Sequence, residues 1–548
     1  MSLDPTNDLD YVTRFVCIGS EEGCHSILPK QDYRDKVPSL HSLLSRDAAF
    51  AAIRRLRTIF ENRSFVTKDP LLFALAMIVR KMPEGHDEDP VRHGAYDLVQ
   101  EACESPLDLF TFVSFDKAVS GPGKAGWGRG MKRLVRHWYE SKAPLDLAFE
   151  ATKCKSSHGW SHRDLIRQSH IHPNKRSKGA SVVLNYLAKG KEAVCNYKEE
   201  DEDEEEEVHQ VVAFLRDVEK LIASKAENKE LIRDVIERRK LVDRQIPSHL
   251  FQMKETFEGL LGHMELANIF RSIPKMASLG MLDHAAPEAS KVIEYVGDFD
   301  KIKQQKVPPV VIFVALRRYE TNKAKKWVKN HNLVKALHAA FNASLKCLPR
   351  IGKRTLLAVH IDSKIAKRRV SGANFLTPLM PCALMAKFFT QSETRVQVVY
   401  FHQKVIDLKI ENNKSRKMPM AGIIEQIVKP TKELANANFD LSEPLKWATQ
   451  NRKSFDNILI MSDKKTVTST EAFYNALHAY RMELSLPAAK LAFIGMSDHT
   501  VIGNKLDLNM LEVSGFNERV PQLIYNFFCG NMDFSGNDIT STEAAAAP

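Results

Sequence analysis

The stretch PRIGKRTLLAVHI, residues 349–361, marks the point at which the hydrophobic pattern of the 548-residue chain changes. It ends in TLLAVHI (355–361), an apolar run with the length of a buried strand. Similar runs follow at 396–401, 457–461 and 490–496. Helical segments lie between them at 377–390 and 470–484. This alternation of strands and helices predicts a mostly parallel sheet covered by helices.

The part of the chain before residue 350 has a different pattern. Segments such as SLHSLLSRDAAFAAIRRLRTIFENR (39–63) and DPLLFALAMIVRKM (69–82) repeat apolar residues at three- and four-residue spacing. Pro, Gly and Asp clusters interrupt these segments, and strand-like alternation is scarce. Many helices of about 10 to 20 residues with short breaks predict paired helices stacked as an α-solenoid. No repeat of fixed period supports this, so the prediction depends on the number of helices alone.

Composition indicates an ordinary globular protein, with 44% apolar and 27% charged residues. The N-terminus has no basic segment followed by an apolar run, and no stretch is long and apolar enough to span a membrane. We therefore expect a protein that is not secreted, located in the cytoplasm with the nucleus as a second location. Its eight cysteines include no C-x-x-C pair, which argues against a zinc finger or a disulfide framework and favours buried reduced thiols.

Charge is distributed unevenly along the chain. The net charge is +11, but residues 199–207 (EEDEDEEEE) are nine consecutive acids. Outside this run, 79 basic side chains face 59 acidic ones, a net charge of +20. We predict a solvated acidic insertion at 199–207 and a disordered tail at 531–548. The folded body is basic enough to make a polyanion a reasonable partner.

The densest basic segment is 120–180, which carries 13 Lys or Arg against four acids. Helical spacing of i, i+3, i+4 and i+7 places four of these cations on one face: Arg129, Lys132, Arg133 and Arg136. A second stripe follows with spacing i, i+4 and i+7: Arg163, Arg167 and His170. An anion that bridges like charges relieves their repulsion, so both stripes predict phosphate contacts. The alternative is a solvated face whose cations pair with acids elsewhere in the fold.

Aromatic residues accompany the cations. Trp127, Trp138, Tyr139 and Trp160 could stack on unpaired bases, although aromatic residues at helical spacing more often belong to a core.

Motifs for catalysis are weak. A Gly-rich phosphate loop, a G-x-S-x-G elbow and an H-E-x-x-H motif are all missing from the sequence. Ser161, His162 and Asp164 have the residue types of a hydrolase triad, but neighbours on one helix cannot form that arrangement unaided. Nothing in the sequence requires an enzyme.

Several segments resemble the TROVE-domain family of Ro (SS-A) ribonucleoproteins. They include GWGRGMKRLVRHWY (126–139), HGWSHRDLIRQSH (158–170) and GFNERVPQLIYNF (515–527), and the resemblance runs from about residue 11 to 528. It implies a ring of HEAT-like helical repeats over 11–350, closed by a von Willebrand factor A-like domain over 352–530. Such proteins bind small Y RNAs on the outer surface of the ring. They also take the single-stranded 3′ ends of misfolded noncoding RNAs through its central hole, in RNA quality control.

The resemblance extends to individual RNA contacts. A histidine of the family that contacts Y RNA falls on His170, and a basic contact falls on Lys153. A further arginine of the family falls on Ser157, so one backbone contact is lost here, and Lys155 is a candidate substitute. Binding should survive with a weaker dependence on salt.

A-type domains hold a divalent cation through D-x-S-x-S after the first strand, with a Thr and an Asp from later loops. The three motif positions align here with His360, Asp362 and Lys364, and the Thr position aligns with Phe439. Only the late acid, Asp463, is retained. An ammonium group opposes a cation, and a phenyl ring has no oxygen to offer. We predict that this site does not bind Mg²⁺.

Two details of this site stay open. If the motif is read from Asp362, its two Ser positions fall on Lys364 and Ala366. Lys364 could also pair with Asp463 and take the place of the ion.

The sequence thus predicts a non-enzymatic, monomeric RNA-binding protein of a small ribonucleoprotein particle, with no cofactor and no membrane association. Its partners are a small structured noncoding RNA of the Y RNA type and misfolded noncoding RNA. The alternative is a protein-interaction scaffold built from an α-solenoid and an A-type domain. The predicted RNA-binding residues are Arg129, Lys132, Arg133, Arg136, Lys153, Lys155, Arg163, Arg167 and His170.

Overall fold

A computed structural model gives the fold and describes residues 5–27, 33, 37–45, 48–81, 90–120, 126–172, 177–197, 206–321, 327–406, 418–431, 439–462, 469–496 and 507–532. In this part of the chain, no helix is both long and apolar enough to cross a bilayer. All eight cysteines are free thiols, but only Cys17, Cys103 and Cys382 are buried. The expectation of uniformly buried thiols is therefore wrong, since Cys195 and Cys347 are exposed.

The first part of the chain is helical, as the three- and four-residue spacing predicts. Its helices are α1 (Pro5–Ile18), α2 (Pro38–Ser45), α3 (Ala49–Glu61), α4 (Asp69–Lys81), α5 (Pro90–Ala102), α6 (Pro106–Ser120), α7 (Arg129–Glu140), α8 (Pro144–Lys153), α9 (His162–Ser169), α10 (Lys178–Lys189), α11 (Glu192–Cys195), α12 (Glu206–Ala223), α13 (Lys229–Arg239), α14 (Lys254–Leu261), α15 (Leu266–Ser278), α16 (Pro287–Gly297), α17 (Phe299–Gln304), α18 (Pro309–Thr321) and α19 (His331–Leu345). Short 3₁₀ turns cover Asp243–Gln245 and Ser248–Gln252.

These helices pack mainly against near neighbours in sequence, such as α4 on α5 and α6, α13 on α14, and α15 on α18. Their apolar faces form one continuous buried core. Such local packing is what stacked helix pairs produce, because each pair buries its apolar face against the next.

Two acidic residues of the predicted insertion belong to a helix instead. Glu206 and Glu207 form the first turn of α12, where negative charge is favourable near the positive end of the helix dipole. The prediction of a loop over 199–207 is therefore wrong for its last two residues. Residues 199–205, and 533–548 of the predicted tail, lie outside the described residues.

The second part is an α/β domain. Its strands are β4 (Thr355–His360), β5 (Val396–Phe401), β6 (Val405–Ile406), β7 (Asn457–Ser462), β8 (Lys490–Gly495) and β9 (Met510–Ser514). Its helices are α20 (Leu379–Ser392), α21 (Met420–Thr431), α22 (Glu443–Gln450), α23 (Thr470–Glu483) and α24 (Val520–Cys529). The four strands predicted from sequence are each confirmed to within one residue at either end.

A strand from the helical part joins the sheet of this domain. The order is β1-β9-β8-β7-β4-β5-β6, in which β1 is Cys24–Ser26 and only β6 runs antiparallel to its neighbour. Cys24 aligns with Glu512, and Ser26 aligns with Ser514. The first and last parts of the chain are thereby hydrogen-bonded to each other.

One short hairpin interrupts the helices. Its strands are β2 (Ser156–Ser157) and β3 (Trp160–Ser161), which are antiparallel. The turn residues His158 and Gly159 have φ angles of 52° and 76°. Two central residues with positive φ are typical of a tight hairpin turn, where glycine is the residue that adopts this conformation without strain.

Candidate nucleic-acid interface

Helix α7 carries the first predicted stripe of cations. Its buried residues recur at helical spacing: Met131, Leu134, Val135, Trp138 and Tyr139. Arg129 and Arg133 are exposed, while Lys132 and Arg136 are half-buried. One face of the helix therefore belongs to the core, and the cations lie away from it.

Helix α9 carries the second stripe, and its first turn explains the Ser-His-Asp sequence. The Asp164 backbone N–H donates to Ser161 Oγ (3.3 Å), and the Ser161 backbone N–H donates to Asp164 Oδ2 (3.0 Å). This reciprocal arrangement is a capping box, which satisfies donors that a helix start leaves open. Arg163 and Arg167 are exposed on the same short helix.

His162 is a core residue. The Tyr139 hydroxyl donates to Nδ1 across 2.6 Å. The carbonyl oxygens of Cys154 (3.0 Å) and Ala151 (3.2 Å) can only accept, so Nε2 carries the proton. Burial lowers the pKa of His162 to about 4. The ring is therefore neutral at neutral pH and joins α7, α8 and α9.

His170 lies just beyond α9 rather than on it. It caps the helix in the left-handed conformation, with φ of 55°, and its side chain is exposed. The predicted i+7 position on the helical stripe is therefore wrong, because the helix ends at Ser169. Nearby, Arg136 Nε donates to the Ser169 carbonyl oxygen across 2.9 Å. Arg136 thus connects α7 to the end of α9.

Six of the predicted binding residues divide into two groups. Within the described part of the chain, Lys132, Arg133, Arg163 and Arg167 form no ion pair. Two others already have a carboxylate partner. Lys153 Nζ lies 2.5 Å from Glu150 Oε1, and Lys155 Nζ lies 3.0 Å from Glu219 Oε1. Ion pairs that are partly open to solvent, as both of these are, contribute little stability. A phosphate can therefore compete for these lysines, but it must displace a carboxylate to do so.

Arg244 is a cation near this surface that sequence reasoning missed. Gln245 Nε2 donates to the Phe149 carbonyl oxygen (3.1 Å) and to Thr152 Oγ1 (2.8 Å), which holds the turn Asp243–Gln245 against α8. The adjacent Arg244 is exposed and close enough to lower the pKa of the Cys154 thiol, against the larger effect of burial, which raises it. No local pattern could reveal this, because the contact is formed by residues distant in sequence.

The four aromatic residues also divide. Trp138 and Tyr139 belong to the core, where Trp138 Nε1 donates to the Cys103 carbonyl oxygen across 2.8 Å. Trp127 and Trp160 are half-buried, with ring centroids 5.8 Å apart. The interpretation as core residues therefore holds for Trp138 and Tyr139. It is incomplete for Trp127 and Trp160, because these two residues are only partly buried.

The A-type site lies where β4 and β7 end, at the edge where open α/β sheets bind ligands. The His360 ring stacks on Phe439, with centroids 3.7 Å apart, and its Nδ1 lies 3.3 Å from Ser462 Oγ. The buried carboxylate of Asp362 pairs with Arg368 across 2.6 Å, and Lys364 is exposed.

This set of side chains does not fit a divalent cation, because an aromatic stack and a guanidinium group stand near the expected ligands. Among the described residues, no group of three His, Cys, Asp or Glu side chains could hold a metal. The predicted partner of Lys364, Asp463, lies outside the described residues.

Comparison with known families settles where the chain belongs. The family model described as the TROVE domain matches residues 4–317, and that of the Ro60 vWA domain matches 354–528. The chain belongs to the TROVE-domain family. The predicted fold class, a helical repeat region followed by a von Willebrand factor A-like domain, is confirmed.

Relatives of this TROVE-domain chain match over nearly its whole length. The RNA-binding protein RO60 of Caenorhabditis elegans is 24% identical over 593 residues, covering 96% of this chain and 89% of the relative. The protein of the same name from Deinococcus radiodurans is 24% identical over 535 residues, covering 96% and 93%. The crystal structure of the D. radiodurans RO (RSR) protein superposes with a TM-score of 0.81 at 22% identity, covering 95% of this chain and 99% of that one. This likeness supports the fold.

Proposed function

We propose that this TROVE-domain protein binds a small structured noncoding RNA, of the Y RNA type, and catalyses no reaction. The observation that carries the proposal is that four cations of α7 and α9 form no ion pair within the described residues, and that three of them are exposed. The exposed three are Arg133, Arg163 and Arg167, and the fourth, Lys132, is half-buried. Relatives that match nearly the whole chain are named RNA-binding proteins, which supports the same partner.

The geometry favours recognition of an RNA backbone. Arg133, Arg163 and Arg167 offer guanidinium groups that match phosphate oxygens, and binding there releases condensed counterions. His170 projects from the end of α9 and can hydrogen-bond to the backbone or a 2′-hydroxyl. Double-stranded RNA presents mainly phosphates and 2′-hydroxyls, so this surface would recognise shape rather than sequence.

The proposal includes a second RNA class. The protein takes the single-stranded 3′ ends of misfolded noncoding RNAs through the ring, as a monomer in RNA quality control. It acts in the cytoplasm, with a second pool in the nucleus. Membership of the family supports this second role. The net charge of +11 favours binding of polyanions such as RNA.

A gel-shift titration with a small structured RNA tests the site. The variant Arg163→Ala/Arg167→Ala/His170→Ser should weaken binding about tenfold or more, because it removes two unpaired cations and a polar contact. Lys153→Ala should have a smaller effect, since that lysine already pairs with Glu150. The control is Lys446→Ala, which removes an exposed cation of the A-type domain that pairs with Asp440.

Equal weakening by the α9 variant and by Lys446→Ala would contradict the site. If the wild-type protein binds no RNA but retains protein partners in a pull-down, the scaffold alternative replaces the proposal.

A further inference from the structure

Two tryptophans form a pair at the edge of the basic surface. Trp127 precedes α7 and Trp160 lies in β3 of the hairpin, so each adjoins one of the two cation-bearing helices. Their ring planes are inclined at 35°, with centroids 5.8 Å apart. Both side chains are half-buried, in contrast to Trp138, which is 4% exposed. Each indole therefore keeps part of its surface open to solvent.

An arginine connects the backbone next to Trp127 to the core. Arg80 of α4 forms a two-point ion pair with the buried Asp116 of α6, with Nε 2.6 Å from Oδ1. Its Nη1 also donates to the carbonyl oxygen of Gly126, across 3.4 Å. The backbone next to Trp127 is thereby fixed to two helices of the core. A flat side chain held in place loses little conformational entropy when a ligand stacks on it.

A lysine side chain lies next to the tryptophan pair. Lys117 follows Asp116 on α6, and its ammonium group lies 5.5 Å from the centre of the Trp160 ring. Lys117 is exposed and forms no ion pair within the described part of the chain. It can therefore contact a phosphate next to a stacked base.

The glycines around Trp127 differ in whether packing requires them. A Cβ at Gly126 or Gly128 would meet no atom of the described residues within 4 Å, and neither glycine has a positive φ. Gly130 differs, because a Cβ there would lie 2.4 Å from the Tyr96 ring. Packing thus requires Gly130, whereas neither packing nor backbone conformation requires the other two. Neither glycine adds a side chain next to Trp127.

We propose that Trp127 and Trp160 form a stacking site for an unpaired RNA base, with Lys117 contacting an adjacent phosphate. The site rests on the proposed RNA-binding function and adds a single-strand contact to it. Aromatic side chains that stack bases beside cations are how proteins bind single strands without reading their sequence. An RNA base has a flat face that the two indoles can cover. The phosphates next to that base are attracted by the net positive charge of segment 120–180.

A binding comparison of two probes tests the stacking site. The probes are a short unstructured RNA oligonucleotide and the matched abasic oligomer, which has the same phosphates but no bases. Trp127→Ala and Trp160→Ala should each weaken binding of the base-containing probe about 5- to 100-fold and leave the abasic probe unaffected. Trp160→Phe should retain most of the affinity. The matched control is Phe50→Ala, since Phe50 is an aromatic side chain on α3 that is 55% exposed.

Photocrosslinking gives a second readout that needs no variant. A 4-thiouridine-containing single strand should crosslink to Trp127 or Trp160 of the wild-type protein. The stacking site is overturned if the alanine variants bind the base-containing probe as tightly as wild type, or if crosslinks form only elsewhere. If binding of structured RNA still depends on Arg163 and Arg167 in that case, the proposed function remains intact. If instead the tryptophan variants weaken binding of the base-containing probe but structured RNA binds independently of Arg163 and Arg167, the proposed function is overturned.

Discussion

His162 shows how burial decides the role of a single side chain. It lies among Phe110, Trp138 and Tyr139, with ring centroids between 5.0 and 6.2 Å from its own. Both ring nitrogens are hydrogen-bonded within the protein. A residue type associated with catalysis here joins three helices, and the neighbouring Ser161 and Asp164 cap one of them.

The depressed pKa of His162 predicts a loss of stability in mild acid. The folded protein holds the pKa at about 4, below the ordinary 6.5, so between these values the unfolded chain binds more protons. Stability from this residue is complete above pH 6.5 and is lost as the pH falls towards 4, by up to about 3 kcal/mol. The melting temperature should differ less between pH 7 and pH 5 for His162→Gln than for wild type.

The control for this prediction is His170→Gln, which changes an exposed histidine on the same segment. Its pH dependence should match that of wild type. If His162→Gln keeps the full wild-type shift between the two pH values, the buried neutral imidazole is not the cause.

Side-chain partners were the least predictable property at this scale. Spacing places Trp127 and Trp138 equally well in a core, and only the three-dimensional packing separates the half-buried ring from the buried one. Likewise Lys155 is one cation among many in the sequence, but its partner Glu219 is 64 residues away. Long-range pairing of this kind has no local signature.

At the scale of elements, local patterns predicted most of what was found. The strand β5 was predicted with its observed bounds, because Val396–Phe401 is an apolar, β-branched and aromatic run interrupted only by Gln397. Five strands were missed: β1, β2, β3, β6 and β9. β9 contains a buried Glu512, which interrupts the apolar pattern, and β1 has only three residues. Such short strands are stabilised by the neighbour they join rather than by their own composition.

The end of β4 carries a prediction about metal binding. Because His360 stacks on Phe439 and Asp362 already pairs with Arg368, we expect no saturable binding of Mg²⁺ or Mn²⁺. Titration calorimetry with either ion measures this directly. Saturable heat that disappears in Asp463→Ala would show that the domain retains a metal site.

At the scale of the whole molecule, β1 and α1 connect the helical part to the A-type domain. Arg14 of α1 is 1% exposed, and its guanidinium group donates to the carbonyl oxygens of Asp507 (2.8 Å) and Met510. Burial lowers the pKa of Arg14 to about 10, so it stays charged at neutral pH. The parallel pairing of β1 with β9 extends the same connection.

Replacement of this arginine should loosen the connection. Arg14→Leu removes the charged donor from the buried carbonyl oxygen of Met510, which costs roughly 1–3 kcal/mol if that group is left unsatisfied. The Asp507 carbonyl oxygen also loses this donor but keeps the Met510 backbone N–H. Hydrogen exchange of the amides in β1 and β9 should accelerate at least about tenfold. Arg271→Leu is the matched control, because it breaks the exposed Arg271–Glu518 pair between the same two parts and should change exchange little. Equal acceleration in both variants would contradict the role of Arg14.

The central claim is that Arg133, Arg163 and Arg167, which have no ion pair among the described residues, bind an RNA backbone. The salt dependence of affinity tests it most directly. The triple variant Arg133→Ala/Arg163→Ala/Arg167→Ala is compared with wild type by measuring RNA affinity across a range of salt concentrations. If each arginine neutralises one phosphate, the slope of log affinity against log salt should fall by about 2 to 3 units. A slope equal to that of wild type would show that these cations face no phosphate.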